Sequence, residues 1–207
     1  FTVREESGLH GARELDPKDL SGAVMCFNVD GRLASELIVG AVGQTNWQVA
    51  ITGKASHAGL APERGISATL VGAIGLAGTK AAGWFGKIVK PDGHGTSNIG
   101  IFGGRDGAPA GDATNVVTDY AWLCGEARSP DEAFNAQIIA GIEAAFEAAR
   151  DQVSDSDGET ARVKFSSTKS YPPFNLDQGS EVVRHAARAV AAIGLEPSLI
   201  FSNGGLD

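Results

Sequence analysis

The chain has 207 residues, 43% of them hydrophobic and 20% charged, enough to bury a sizeable core in one or two domains. Its net charge of −8 argues against nucleic-acid partners and against an anionic membrane surface. No apolar run approaches the ~20 residues of a membrane span, and no basic segment leading into an apolar one marks a signal peptide.

The opening "FTVREESGLHGA" reads as the end of an apolar strand, Phe1–Val3, handing over to a helix from Gly8 to Leu15, with Glu5 and Glu6 adjacent at the junction. Asp16-Pro17 predicts an N-cap followed by proline at the first position of a short turn. "GAVMCFNVD" (residues 22–30) is a continuous apolar run ending on Asp30. Such a run suits a strand covered on both faces, with Asp30 at its carboxyl end, where open α/β sheets place ligands. Cys26 and Cys124 both lie in apolar stretches and match no metal or redox spacing. Buried, reduced thiols and a cytoplasmic setting are expected.

The pattern changes near Gly43. Trp47, Val49 and Ile51 alternate as in a half-exposed strand. After a turn at Pro62, an apolar stripe of Ile66, Leu70, Ala73, Ile74 and Ala77 predicts a helix. "TSNIGIFGGRDG" and "TNVVTDYAWLCGEAR" predict two strands joined by a Gly-rich loop, and "SPDE" (129–132) a capping box opening a helix through Phe134, Ile138, Ile142 and Phe146. A polar loop at 154–159 precedes the strand "TARVKFSSTKSY". The order β-α-β-β-α-β is ferredoxin-like. Beyond "YPPFN" the α/β character returns, with a helix capped by Ser180 and closed by Gly194, then the strand "PSLIFSNGGLD". The expected architecture is an incomplete α/β domain, residues 1–43 and 172–207, interrupted by an α+β ferredoxin-like module, residues 44–171.

"FTVREESGLHGA", "VDG", "ITGKASHAGLAPERGISA", "TNVV", "GEARS" and "SNGGLD" occur in the order found in the di-zinc metallopeptidases that include peptidase T, carboxypeptidase G and the acetylornithine and succinyl-diaminopimelate deacylases. The whole chain resembles that family in outline, and its wording is most similar to the peptidase T-like branch. The resemblance implies a zinc-dependent exopeptidase whose inserted module is a lid and dimerisation domain. It implies Glu5 as general acid/base, Glu6 and Asp30 as carboxylate ligands to two Zn²⁺, and His57 as a lid histidine donating to the oxyanion. It further implies Asn115 and Arg128 as substrate-holding residues, Arg128 gripping a carboxylate, and Gly204-Gly205 as a loop lying against the substrate. Asn203 departs from the glycine usual there. The remaining metal ligands, a His-x-Asp pair, a bridging Asp and a further His, are expected outside Phe1–Asp207, so these residues alone are expected to be inactive.

Each assignment has a plainer reading. Glu5 and Glu6 suit the first turn of any helix, Asp30-Gly31 is a common turn pair, and Arg128 can serve in a salt bridge ahead of the capping box. His10, His94 and His185 match no motif and read as surface or packing residues, His94 in a Gly-rich loop. The expected partners are a small peptide or N-acyl amino acid and a second copy of the chain through the lid. The alternatives are a deacylase of N-acyl amino acids and a non-catalytic dimerisation or binding module.

Overall fold

A computed structural model describes residues 10–29 and 31–205. Phe1–Val3, Glu5, Glu6 and Asp30 lie outside the described residues. The elements in chain order are α1 (His10–Arg13), β1 (Glu36–Ala41), β2 (Gly43–Thr52), α2 (Ala68–Ala81), β3 (Gly86–Lys90), β4 (Gly93–Gly103), β5 (Tyr120–Ser129), α3 (Glu132–Arg150), β6 (Arg162–Tyr171), β7 (Phe174–Asn175), α4 (Glu181–Ala192) and β8 (Ser198–Ser202). The chain divides into two compact units, residues 44–169 and residues 1–43 with 170–207.

The 44–169 unit is a five-stranded sheet in the order β3-β4-β5-β2-β6. Without β3 this is the ferredoxin-like order that the sequence predicts. The β3–β4 hairpin, Gly86–Lys90 on Gly93–Ser97, adds an edge that sequence reading missed. Period-2 alternation turns Val49 and Ile51 of β2 and Ala121, Leu123 and Ala127 of β5 inward, where they are fully buried against Phe134, Ile138, Ile142 and Phe146 of α3. Trp47 joins them, stacked on Phe165 with centroids 5.8 Å apart and tilted on Phe146 at 6.1 Å. Full burial of one such phenylalanine contributes about 1.5–3 kcal/mol.

The buried face of α2 differs from the predicted stripe. Ala68, Val71, Gly72, Gly75 and Thr79 point inward, while Leu70 is half exposed. The reason is close approach: a Cβ on Gly75 would stand 2.6 Å from Phe146 Cε1, and one on Gly72 would stand 2.9 Å from Phe102 Cζ. Small residues face inward because aromatic rings occupy the space that larger ones would need. At α3 the capping box is also displaced. Asp131, not Ser129, is the N-cap, its carboxylate accepting from Phe134 N–H at 2.9 Å. Ser129 ends β5 and is held inward, its hydroxyl donating to the His94 carbonyl at 2.9 Å. His94 itself lies in β4 and not in a loop.

The other unit holds a three-stranded sheet, β7-β1-β8, with β1 parallel to β8 and antiparallel to β7. Val183 and Val190 of α4 are buried, and Gly194 follows its last turn at φ +82°, as expected for a C′ glycine. Ser180 occupies the N-cap position without a side-chain capping bond. Asp16 caps the Pro17–Leu20 turn, accepting from Lys18 N–H at 2.9 Å.

The expected strand over residues 22–30 does not form among the described residues. Val24 and Val29 are 92% and 99% exposed, and Cys26 is exposed where burial was expected. β1 carries β7 on one edge and β8 on the other, and among the described residues the run pairs with neither outer strand, so no ladder holds it extended. Cys124 is partly buried, which pushes its thiol pKa up.

Candidate functional site

His57 follows β2 by five residues, on an exposed loop between Thr52 and the 3-10 turn Pro62–Arg64. Asn115 belongs to the loop before β5. Backbone bonds join the two: Ala58 N–H donates to the Asn115 carbonyl at 2.8 Å, and His57 bridges Val116. Gly59 N–H donates to His57 Nδ1 at 3.1 Å. A neutral imidazole accepting at Nδ1 carries its proton on Nε2. That N–H has no hydrogen-bond partner among the described residues, so it is a donor presented outward.

Arg128 is near the far end of β5. Gly53 N–H donates to the Asp119 carbonyl at 2.8 Å, which sets the end of β2 against the start of β5. From Tyr120 to Arg128 the strand advances eight residues, roughly 26 Å at ~3.3 Å per residue. One copy of the module therefore keeps His57 with Asn115 but does not bring Arg128 to them. The Arg128 guanidinium forms a two-point contact with Glu126 on the same strand face, Nε to Oε1 at 2.9 Å and Nη2 to Oε2 at 3.0 Å. The salt bridge that was its plainer reading is present. Sequence reasoning missed Glu126 as the partner, although i, i+2 residues of a strand share a face and "EAR" spells the pair.

Gly204 and Gly205 follow β8, at the carboxyl ends of the parallel pair β1–β8. Gly204 N–H donates to Ser202 Oγ at 3.1 Å. A Cβ on Gly205 would stand 2.7 Å from Tyr171 Cζ, so a larger residue there would have to displace the end of that ring. Glu5, Glu6 and Asp30 lie outside the described residues. Among the described residues no three of His, Cys, Asp or Glu gather as a metal site. The described residues thus do not by themselves assemble the zinc pair that the resemblance implies.

One further group bears on His57. Lys54 Nζ pairs with Asp155 Oδ2 at 2.6 Å. The Asp155 carboxylate is fully buried, and it also accepts from Asp157 N–H at 3.0 Å and Glu159 N–H at 2.9 Å. These bonds, Lys54's first, hold its pKa below the ordinary 3.8 despite burial. The Lys54 ammonium is raised above 10.5 by the same hydrogen bond.

Comparison with known proteins decides the family. Residues 39–153 match the M20 peptidase dimerisation domain. The chain belongs to the M20 peptidase family. An uncharacterised Bacillus subtilis protein, YqjE, is 36% identical over the whole chain, which covers 51% of it. The solved aminopeptidase PepT of Bacillus cereus is 33% identical with a TM-score of 0.78, 99% of this chain covering 50% of that one. A tripeptidase of Staphylococcus aureus is 31% identical with a TM-score of 0.83, 99% of this chain covering 49% of it. The chain spans about half the length of these M20 relatives. No helix among the described residues is long and apolar enough to cross a membrane.

Proposed function

We propose that this M20 chain is part of a cytoplasmic, zinc-dependent exopeptidase that cleaves a small peptide, with the 44–171 module as lid and dimerisation domain and residues 1–43 and 172–207 as pieces of the catalytic domain. The observation that carries the reading is the likeness to a solved aminopeptidase and a solved tripeptidase along nearly the whole chain. Two zinc ions, toward which Glu6 and Asp30 would contribute carboxylates, supply Lewis acidity and a lowered water pKa. Glu5 takes the proton of the attacking water and delivers it to the leaving amine. His57 Nε2–H donates to the oxyanion, Asn115 holds the substrate, Arg128 grips its carboxylate, and the Gly204-Gly205 backbone lies against it.

The full-length protein is expected to release the N-terminal residue of a tripeptide, to lose that activity on dialysis against a chelator, and to regain it with Zn²⁺. Hydrolysis confined to N-acyl amino acids would replace the peptidase with a deacylase. No hydrolysis of either class after metal return would leave only a binding module.

The roughly 26 Å of strand between the His57–Asn115 pair and Arg128 supports a shared site, in which one protomer supplies Arg128 and its partner supplies His57 and Asn115. The sheet offers a seam for such a pair. β3 covers β4 only from Gly93 to Ser97. The remaining edge, "NIGIFG" (98–103), has no charge and no proline, and Ile101 and Phe102 are 49% and 43% exposed. An uncharged, apolar edge is a template for another strand. Two copies of β4 meeting about a twofold axis would join the sheets. That edge faces the half of β5 next to the His57 end, since Gly103 pairs Trp122. Light scattering at micromolar concentration is expected to give a dimer for the wild type and a monomer for Ile101→Lys. A dimer in both would move the seam elsewhere, and a monomeric wild type would remove it.

A further inference from the structure

The loop that carries His57 is exposed and lies outside helix and strand, yet an oxyanion donor must be held to a fraction of an ångström. Two of its sides are fixed by backbone bonds and one serine hydroxyl. Lys54 and Ile66 exchange bonds of 3.0 and 2.9 Å, Val117 N–H reaches the Ser56 carbonyl at 2.9 Å, and Ser56 Oγ closes onto the Ala61 carbonyl at 2.6 Å. The third side is the 154–160 turn, remote in sequence. It touches the loop twice, through the Lys54–Asp155 ion pair and through Ser156 N–H donating to the Glu63 carbonyl at 2.7 Å. Lys54 and Glu63 flank His57, so the turn braces the loop on both sides of the imidazole.

We propose that Lys54 and Asp155 position His57, the ion pair locking the 154–160 turn against the loop that presents the imidazole. The inference rests on the reading of His57 as a group that acts on substrate. Its logic is the asymmetry of a buried ion pair. With Lys54 in place, the Asp155 carboxylate has all its neighbours satisfied: the ammonium, and the backbone donors of Asp157 and Glu159. Without Lys54, a buried anion remains beside two further acids, Asp157 and Glu159, with only the two backbone donors left to offset its desolvation. The turn then relaxes toward water, and the tether from Ser156 to Glu63 goes with it. A brace placed for stability alone would not need to grip both flanks of one exposed histidine.

The test uses the full-length protein with histidine labelled at ring ¹³Cε1, the His57, His94 and His185 resonances being assigned by substitution. In Lys54→Met the His57 signal is expected to split or broaden while those of His94 and His185 hold. kcat on a tripeptide is expected to fall roughly 10-fold with KM unchanged, short of the about 10²-fold that a larger misplacement can cost. Lys54→Arg is expected to restore both. Asp155→Asn, which keeps an oxygen for the backbone donors, is expected to reproduce the Lys54→Met result, and it decides the matter if Lys54→Met does not fold. An unchanged His57 signal, or all three histidines shifting together, would overturn the inference. If the His57 signal moves but neither Lys54→Met nor His57→Ala alters kcat, the brace stands and the role of His57 falls. If His57→Ala lowers kcat and Lys54→Met does not, the brace has no part in catalysis.

Discussion

His57→Ala in the full-length protein is expected to retain its metal and its dimer while kcat falls on the order of 10²–10³, the scale for removing one oxyanion donor. The fold has little to lose from the change, because the ring is exposed and its bond from Gly59 N–H is local. Complementation tells whether the donor acts within or across protomers. His57→Ala and Glu5→Ala are each expected to be nearly inactive alone. In a mixed dimer sharing its sites, the protomer lacking the imidazole keeps its own Glu5 and borrows His57 from its partner, giving one good site of two. Random pairing makes about half of the dimers mixed, so roughly a quarter of wild-type activity returns. If each protomer works alone, every site lacks one essential group and nothing returns. Zero recovery with mixed dimers demonstrated would sink the shared site.

Arg128→Ala is expected to lower kcat/KM on substrates bearing a carboxylate by about 2–4 kcal/mol, the scale for truncating one member of a partly desolvated charge pair. Arg128→Lys is not expected to rescue it, because an ammonium makes no two-point contact. Glu126 sharpens the experiment. It occupies two nitrogens of the fork, so a substrate carboxylate must share the guanidinium with it or displace it. Removing Arg128 also strands Glu126, and that loss is common to all substrates. The informative quantity is the difference between a carboxylate substrate and its amidated analogue. Equal losses on both would show that Arg128 serves Glu126 and not the substrate.

Most of the module's order was legible because its signals are local. Alternation through Trp47, Val49 and Ile51 marks β2, and the stripe of Phe134, Ile138, Ile142 and Phe146 marks α3. The misses have a common physical cause, which is that packing partners are not written beside the residues they select. Gly72 and Gly75 lie outside the predicted stripe, yet they belong to the buried face because Phe102 and Phe146 press on them. The apolar run at 22–30 reads as a strand, but among the described residues it pairs with no strand of the sheet. β3 is only five residues with a lysine on its second and last positions, too short and polar to stand out. The candidate site was legible only through resemblance, since a lone histidine in a loop carries no spacing signal. Lys54 and Asp155 were beyond reach, lying 101 positions apart.

The glycines of α2 carry one more consequence, for the order in which the module folds. Gly72, Gly75 and Gly78 stand within fourteen residues, and each costs an isolated helix about 1 kcal/mol relative to alanine. Such a segment does not hold helical structure in the unfolded chain. α3 has nineteen residues rich in alanine and glutamate, a single glycine and an aspartate cap, so its own propensity favours it earlier. α2 can condense only once the rings of Phe102 and Phe146 are there to receive its bare face. Its contacts are then expected to form after the folding transition state, so that weakening α2 hastens unfolding and scarcely slows folding.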